Sequence, residues 1–160
     1  MDQELLRRLR ESSGLRLDRE GRFFHQGTPV EHARTLAVLH AGLHRAEDGR
    51  WATRIGRDWA YVEVEDTARF VRRIEPQKRA LRGQLATGEW VEIDPATLAS
   101  GADDALYVRL PDGERARLTR PAQLSLSPYL AESVDAFELR LGERAFRIGK
   151  DEGREPVRKM

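Results

Sequence analysis

At 160 residues the chain has room for one ordinary domain or two small halves, and the absence of cysteine excludes disulfide staples, thiolate metal sites and a cysteine nucleophile together. Its 28 Lys and Arg nearly cancel 27 Asp and Glu, leaving a net +1, so the basic excess of a general nucleic-acid binder is missing. With 34% charged and 39% hydrophobic residues, a thin core under a well-solvated surface is expected.

In chain order, Asp2 to Ser12 predicts a helix, with Leu5, Leu6 and Leu9 as one stripe, Asp2 as cap and Gly14 as stop. The charge in MDQELLRRLR does not read as a secretory signal, and no apolar run approaches the ~20 residues of a membrane span, so a cytoplasmic location is expected. LRLD, a turn at Gly21 and FFHQ read as a hairpin. In GTPVE, Thr28 reads as an N-cap, Pro29 as the first helical residue and Glu31 as the partner closing a capping box; the helix should run to about Ala46. RWATRIG and WAYVEVED follow as strands, with Ala60, Val62 and Val64 alternating against Trp59, Tyr61 and Glu63. FVRRIE, RALRGQLA and EWVEI continue the strands, the last two joined by ATGE. DPATLAS repeats the cap-then-proline start in a shorter helix. ALYVRL, RARLTR and AQLSLS read as strands, SPYLAES as a helical turn, and AFELRL with GERAF as a final hairpin. The tail KDEGREPVRKM has no periodicity and reads as flexible.

This pattern predicts an α+β fold of short antiparallel strands. A faint internal echo suggests two similar motifs: Gly21, FF, Thr28-Pro29, helix and Asp48-Gly49 against Gly88, WV, Asp94-Pro95, helix and Asp112-Gly113. The expected organisation is an N-terminal helix over 1–14, a first motif over 15–78, a second with the C-terminal hairpin over 79–149, and a tail over 150–160. Each motif carries a Pro-started helix, and the two share one core.

The order G-x-F-x-H-x-G-x-P-V, helix, D-G-x-W, V-E-V-E-D-x-x-x-F, L-x-x-Q-L-A-T-G-E, Y-V-R-L-x-x-G-E-R-A-R-L-T-R-P resembles a bacterial family designated domain of unknown function twelve eighty-five. The match spans about residues 15 to 127 and rests on order and spacing, since no single motif in it is specific. The resemblance implies an α+β fold of two similar motifs, no established activity, and a ligand-binding or signalling role. Two departures stand out: Arg69 precedes Phe70 where the family pattern has Pro, and residues 128–160 match nothing in it.

HAGLH, residues 40–44, is the nearest approach to a metal motif, because histidines four apart on a helix share a face. A zinc protease needs a general-base Glu after the first His, and Ala41 stands there. Nor can His32 join His40 on one ion, since eight helical residues amount to about 80° of rotation and ~12 Å of rise. His40 and His44 remain as metal candidates, or as flank residues of the helix with His44 near its C-terminal dipole. The VEVED carboxylates Glu63, Glu65 and Asp66 offer either acid–base groups or a solvated sheet face paired with arginines. Arg109, Arg117 and Arg120 would make an anion site if they face inward, and would be solubilising charges otherwise. Trp51, Trp59 and Tyr61 read as core or as a pocket lining.

No complete catalytic set is present. The reading is a non-catalytic ligand-binding or regulatory module without a cofactor, taking a small anionic ligand or a protein partner and neither nucleic acid nor membrane. Its ligand site is expected between the halves, with VEVED on one side and Arg109, Arg117 and Arg120 on the other. The alternative is a metal-dependent enzyme using His40, His44 and the VEVED carboxylates.

Overall fold

The computed structural model describes residues 9–152. Of the expected N-terminal helix, residues 9–11 are helical and the earlier part lies outside the described residues, as does the end of the expected tail from 153 onward. The chain divides into two compact units at Ala68/Arg69, rather than after residue 78. The reason is pairing: FVRRIE, expected to close the first motif, hydrogen-bonds strands of the second.

In the first unit the elements are β1 (Leu15–Leu17), β2 (Phe23–His25), β3 (Thr28–Pro29), α1 (Ala33–Gly42), β4 (Leu43–Arg45), β5 (Trp51–Ile55) and β6 (Asp58–Val64). Period-two alternation buries Leu15 and Leu17 while Arg16 stays half-buried. The strands make one sheet in the order β3-β2-β1-β6-β5-β4, with β1 and β6 parallel. The turn before β2 is held by Asp18, whose Oδ1 accepts from the backbone N–H of Glu20 (2.9 Å) and of Arg22 (2.8 Å).

Two sequence expectations fail in this unit. Thr28 and Pro29 do not start a helix; they form an edge strand paired with Phe24 and His25. Gln26 (φ 50°) and Gly27 (φ 82°) supply the two left-handed residues of a tight hairpin turn, and an edge strand tolerates proline's missing N–H. The helix instead starts after His32, whose Nδ1 accepts from the Thr35 N–H at 3.4 Å. It ends at Gly42 rather than Ala46, because Leu43 turns extended and begins β4.

The second unit holds β7 (Arg69–Pro76), β8 (Leu81–Leu85), β9 (Trp90–Ile93), a 3-10 turn (Pro95–Thr97), β10 (Ala99–Ser100), β11 (Leu106–Arg109) and β12 (Arg115–Leu118). Asp94 caps the 3-10 turn as its sequence implies, Oδ1 accepting from the Ala96 N–H at 2.9 Å. These six strands lie in the order β10-β11-β12-β7-β8-β9, with β7 and β12 parallel. That is the order of the first unit, strand for strand. The two parallel seams also agree in register: the Glu65 N–H donates to Leu17 O and the Thr119 N–H to Val71 O, both at 2.9 Å. Matching strands pairs Gly27 with Gly88, not Gly21 with Gly88. The echo read from the sequence, which sets Gly21 against Gly88, is one hairpin out of step with this strand order.

Beyond β12 the second unit adds α2 (Arg120–Leu126), a three-stranded sheet of β13 (Leu130–Glu132), β14 (Phe137–Leu141) and β15 (Arg144–Arg147), and β16 (Gly149–Lys150) beside β10. AQLSLS is thus helix and not strand. Pro121 sits in the first turn, and Ala122 and Leu126 are buried four apart, while Leu124, two residues from Leu126, is exposed. The start of the expected tail is also ordered: the Asp151 N–H donates to Ser100 O, and its carboxylate takes Arg115 at 2.9 and 2.6 Å. Val71, Leu81, Ile93, Leu118, Leu126 and Leu139 are among the members of one buried cluster in this unit.

Gly42 gives a direct test of how α1 meets β5. A methyl group there would run into the Arg54 carbonyl oxygen, which is backbone and cannot rotate away. Gly42→Ala should therefore destabilise by about 1–3 kcal/mol despite alanine's better helix propensity. Urea unfolding measures this, and an unchanged or raised midpoint would contradict the close approach.

Candidate functional site

The histidines separate first. His40 is buried on α1 with its ring edge-on to Phe23, centroids 4.8 Å apart, whereas His44 lies on β4 with Nδ1 2.8 Å from Gly42 O. Because the helix stops between them, the four-residue spacing does not place them on one helical face. Among the described residues no three His, Cys, Asp or Glu side chains gather as metal ligands.

The carboxylates and arginines of the expected cleft belong to different units. Glu65 lies in the bend after β6 and ties back to the β1–β2 turn: its carboxylate accepts from the Arg19 backbone N–H (3.2 Å) and Nε (2.8 Å), with Arg16 3.8 Å away. Asp66 follows in the same bend. Glu63 stands opposite Arg16 in the parallel ladder. In the second unit Arg117 holds the corresponding ladder position, opposite Phe70, and donates to the Tyr107 hydroxyl at 3.3 Å. Arg109 donates to Gly113 O at 3.3 Å, bracing the β11–β12 hairpin. Arg120 opens α2.

Three separate depressions take in Glu63, Arg109 and Arg120, one each, while Glu65, Asp66 and Arg117 line none of them. One of about 630 Å³ in the first unit is lined by Glu63 together with Glu11, Arg16, Arg50 and Tyr61. Next to it the charges are already matched. Arg50 reaches Asp48 (2.8 Å) and Glu11 (3.1 Å) and lies 3.7 Å above the Tyr61 ring, and the Tyr61 hydroxyl donates to Asp48 at 2.7 Å. The Tyr61 hydroxyl and then Arg50 hold the Asp48 carboxyl at about 2. Trp51, Trp59 and Tyr61 are half-buried rather than core, and each carries a guanidinium on its face: Arg45 at 4.4 Å, Arg10 at 4.1 Å and Arg50. A second depression, about 230 Å³, includes Arg109 beside the Arg115–Asp151 pair.

The third is the largest of the three, about 810 Å³, and lies wholly within the second unit. Its apolar lining comes from Leu106, Leu124, Leu130, Phe137 and Ile148, and its charged lining from Arg120, Arg147, Lys150, Asp104 and Asp135. One wall is fixed by Gln123, whose Oε1 accepts from the Leu106 N–H and whose Nε2 donates to Asp104 O, both at 3.2 Å. Sequence reading found Arg120 alone of this set. The others fall on residues 104–106, on AQLSLS, which reads as a strand, and on residues 128–150, where no motif points to a site.

The Asp48 cluster sets a pH expectation. A carboxyl whose folded value lies below its ordinary 3.8 adds stability above that ordinary value, and the contribution fades as pH falls toward about 2. Asp18 behaves alike: burial raises its carboxyl, but hydrogen bonds from Arg22 and the Glu20 N–H outweigh that and lower it. Tyr61→Phe should move the Asp48 titration, followed by NMR, upward toward the ordinary carboxylate range. A midpoint that stays at about 2 would show that the hydroxyl contributes nothing.

No protein-family model matches the chain, and no curated protein matches it either. Two solved structures do. A DUF1285 family protein from Silicibacter pomeroyi DSS-3 is 20% identical, with a TM-score of 0.63 over 86% of this chain and 80% of that one. A DUF1285 family protein from Shewanella baltica OS155 is 20% identical, with a TM-score of 0.54 over 71% of this chain and 90% of that one. Both likenesses run through the fold, and the chain shares the α+β fold of these DUF1285 family proteins.

Proposed function

We propose that the protein is a non-catalytic ligand-binding module, with its site in the 810 Å³ depression of the second unit. The observation that carries this reading is a preformed, largely apolar depression of ligand size, with charged groups converging on it and no paired acid, base or nucleophile within it. Capture without turnover is what a regulatory or signalling role requires, and the recurring strand order supports a structural repeat as its scaffold. The metal-dependent alternative draws no support from His40 and His44, which sit on different elements. No helix among the described residues is long and apolar enough to cross a membrane, in keeping with a cytoplasmic binding protein.

Amide chemical-shift mapping of the whole chain against a library of small apolar compounds tests the reading. Hits should shift resonances of residues 104–106, 120–127, 130–137 and 147–150 as one set. A library that shifts no amide in that set, or shifts only amides elsewhere, would contradict it.

A further inference from the structure

Four of the seven exposed large apolar side chains among the described residues, Leu124, Tyr129, Val134 and Phe137, fall within fourteen consecutive positions of the second unit. Leu124 is 65% exposed and Phe137 57%, and both line the large depression, where Leu106 and Ile148 supply buried apolar groups behind them. Exposed apolar surface gathered over a concavity marks a place that gains free energy when something apolar covers it. The helix that presents Leu124 is pinned by Gln123 to the segment at 104–106, so that wall stands ready before any ligand arrives.

The charges add a second requirement. Arg120, Arg147 and Lys150 line the same depression, and none of them forms an ion pair among the described residues. Asp104 and Asp135 also line it and are likewise without ion pairs, so three cations against two carboxylates leave the lining net positive. Arg22, Arg50 and Arg115 by contrast hold carboxylates, and what sets the three lining cations apart from other unpaired ones is that they face one concavity. Two of these three uncommitted cations, Arg147 and Lys150, flank the buried Ile148.

Resting on the ligand-binding reading, we infer that the depression takes a small amphipathic anion: an aliphatic or aromatic body over Leu124 and Phe137, with one carboxylate-like head held by Arg120, Arg147 and Lys150. An apolar body alone leaves the cations unused, and an inorganic anion alone leaves the apolar wall uncovered. The pieces added after the sixth strand close this site over residues 100–106, since α2, β13, β14, β15 and β16 all contribute to its lining.

The test uses the full chain with four probes: octanoate, octanol, octylammonium and inorganic phosphate, each titrated by chemical-shift mapping. Octanoate should bind at least fivefold more tightly than octanol, and octylammonium and phosphate more weakly still. Arg120→Gln, Arg147→Gln and Lys150→Gln should each weaken octanoate roughly two- to fivefold and leave octanol unchanged. Phe137→Ser, at an exposed position, should weaken octanoate and octanol together. Octanol binding as well as octanoate would overturn the anionic head while leaving the ligand-binding reading intact. Phosphate binding as well as octanoate would overturn the apolar body. If none of the four, and no library compound, shifts these amides, both the inference and the reading beneath it fall.

Discussion

Each unit depends on one constraint: its first and sixth strands must lie side by side and parallel. Antiparallel neighbours can be joined by a two-residue turn, but a parallel pair needs a crossing segment. The chain meets this by running three strands outward from one seam strand, crossing, and running three strands back to the other. In the first unit α1 makes the crossing, and in the second the 3-10 turn at Pro95–Thr97 does so in far fewer residues. Burial follows the seam. Leu17, Val71, Ala116 and Leu118 are almost fully buried, and the sheet edges fall to strands of two to four residues, where short length limits unwanted pairing.

The two units part company after the sixth strand. Thr119 closes the second seam as Glu65 closes the first, but the second chain segment then continues into α2 and a separate three-stranded sheet. Gln123 fastens this addition to residues 104–106 at the start of β11, and the Arg115–Asp151 pair fastens it to β12. The large depression is the space left between these additions and residues 100–106, with apolar groups on α2, β14 and β11 and its cations at the helix start and on β15–β16. In the first unit the charged groups instead satisfy one another, as Asp48, Arg50, Glu11 and Tyr61 do.

Much of the strand pattern was legible because period-two alternation and glycine turns are local signals. The β5–β6 hairpin, the β8–β9 hairpin with Gly88, and the β14–β15 hairpin fall where the sequence places them. What misled was local chemistry with two meanings. Thr28-Pro29 is both a helix start and a permissible edge strand, and only the Gln26-Gly27 turn decides between them. AQLSLS alternates like a strand, yet Pro121 and the burial of Ala122 and Leu126 make it a helix. The site was harder to read than the fold. Arg120 was picked out for its charge, but Leu124, Phe137 and Arg147 become a set only through contacts far apart in sequence. HAGLH failed as a motif because the helix ends two residues short of His44.

Each unit is held together by its own parallel seam, and native-state amide hydrogen exchange tests this most directly. The Glu65 and Thr119 amides, which close the seams on Leu17 O and Val71 O, should exchange only through opening of their whole unit, together with the amides of β1, β6, β7 and β12. Exchange of these amides as fast as that of the hairpin ends, while the outer strands stay protected, would contradict the account.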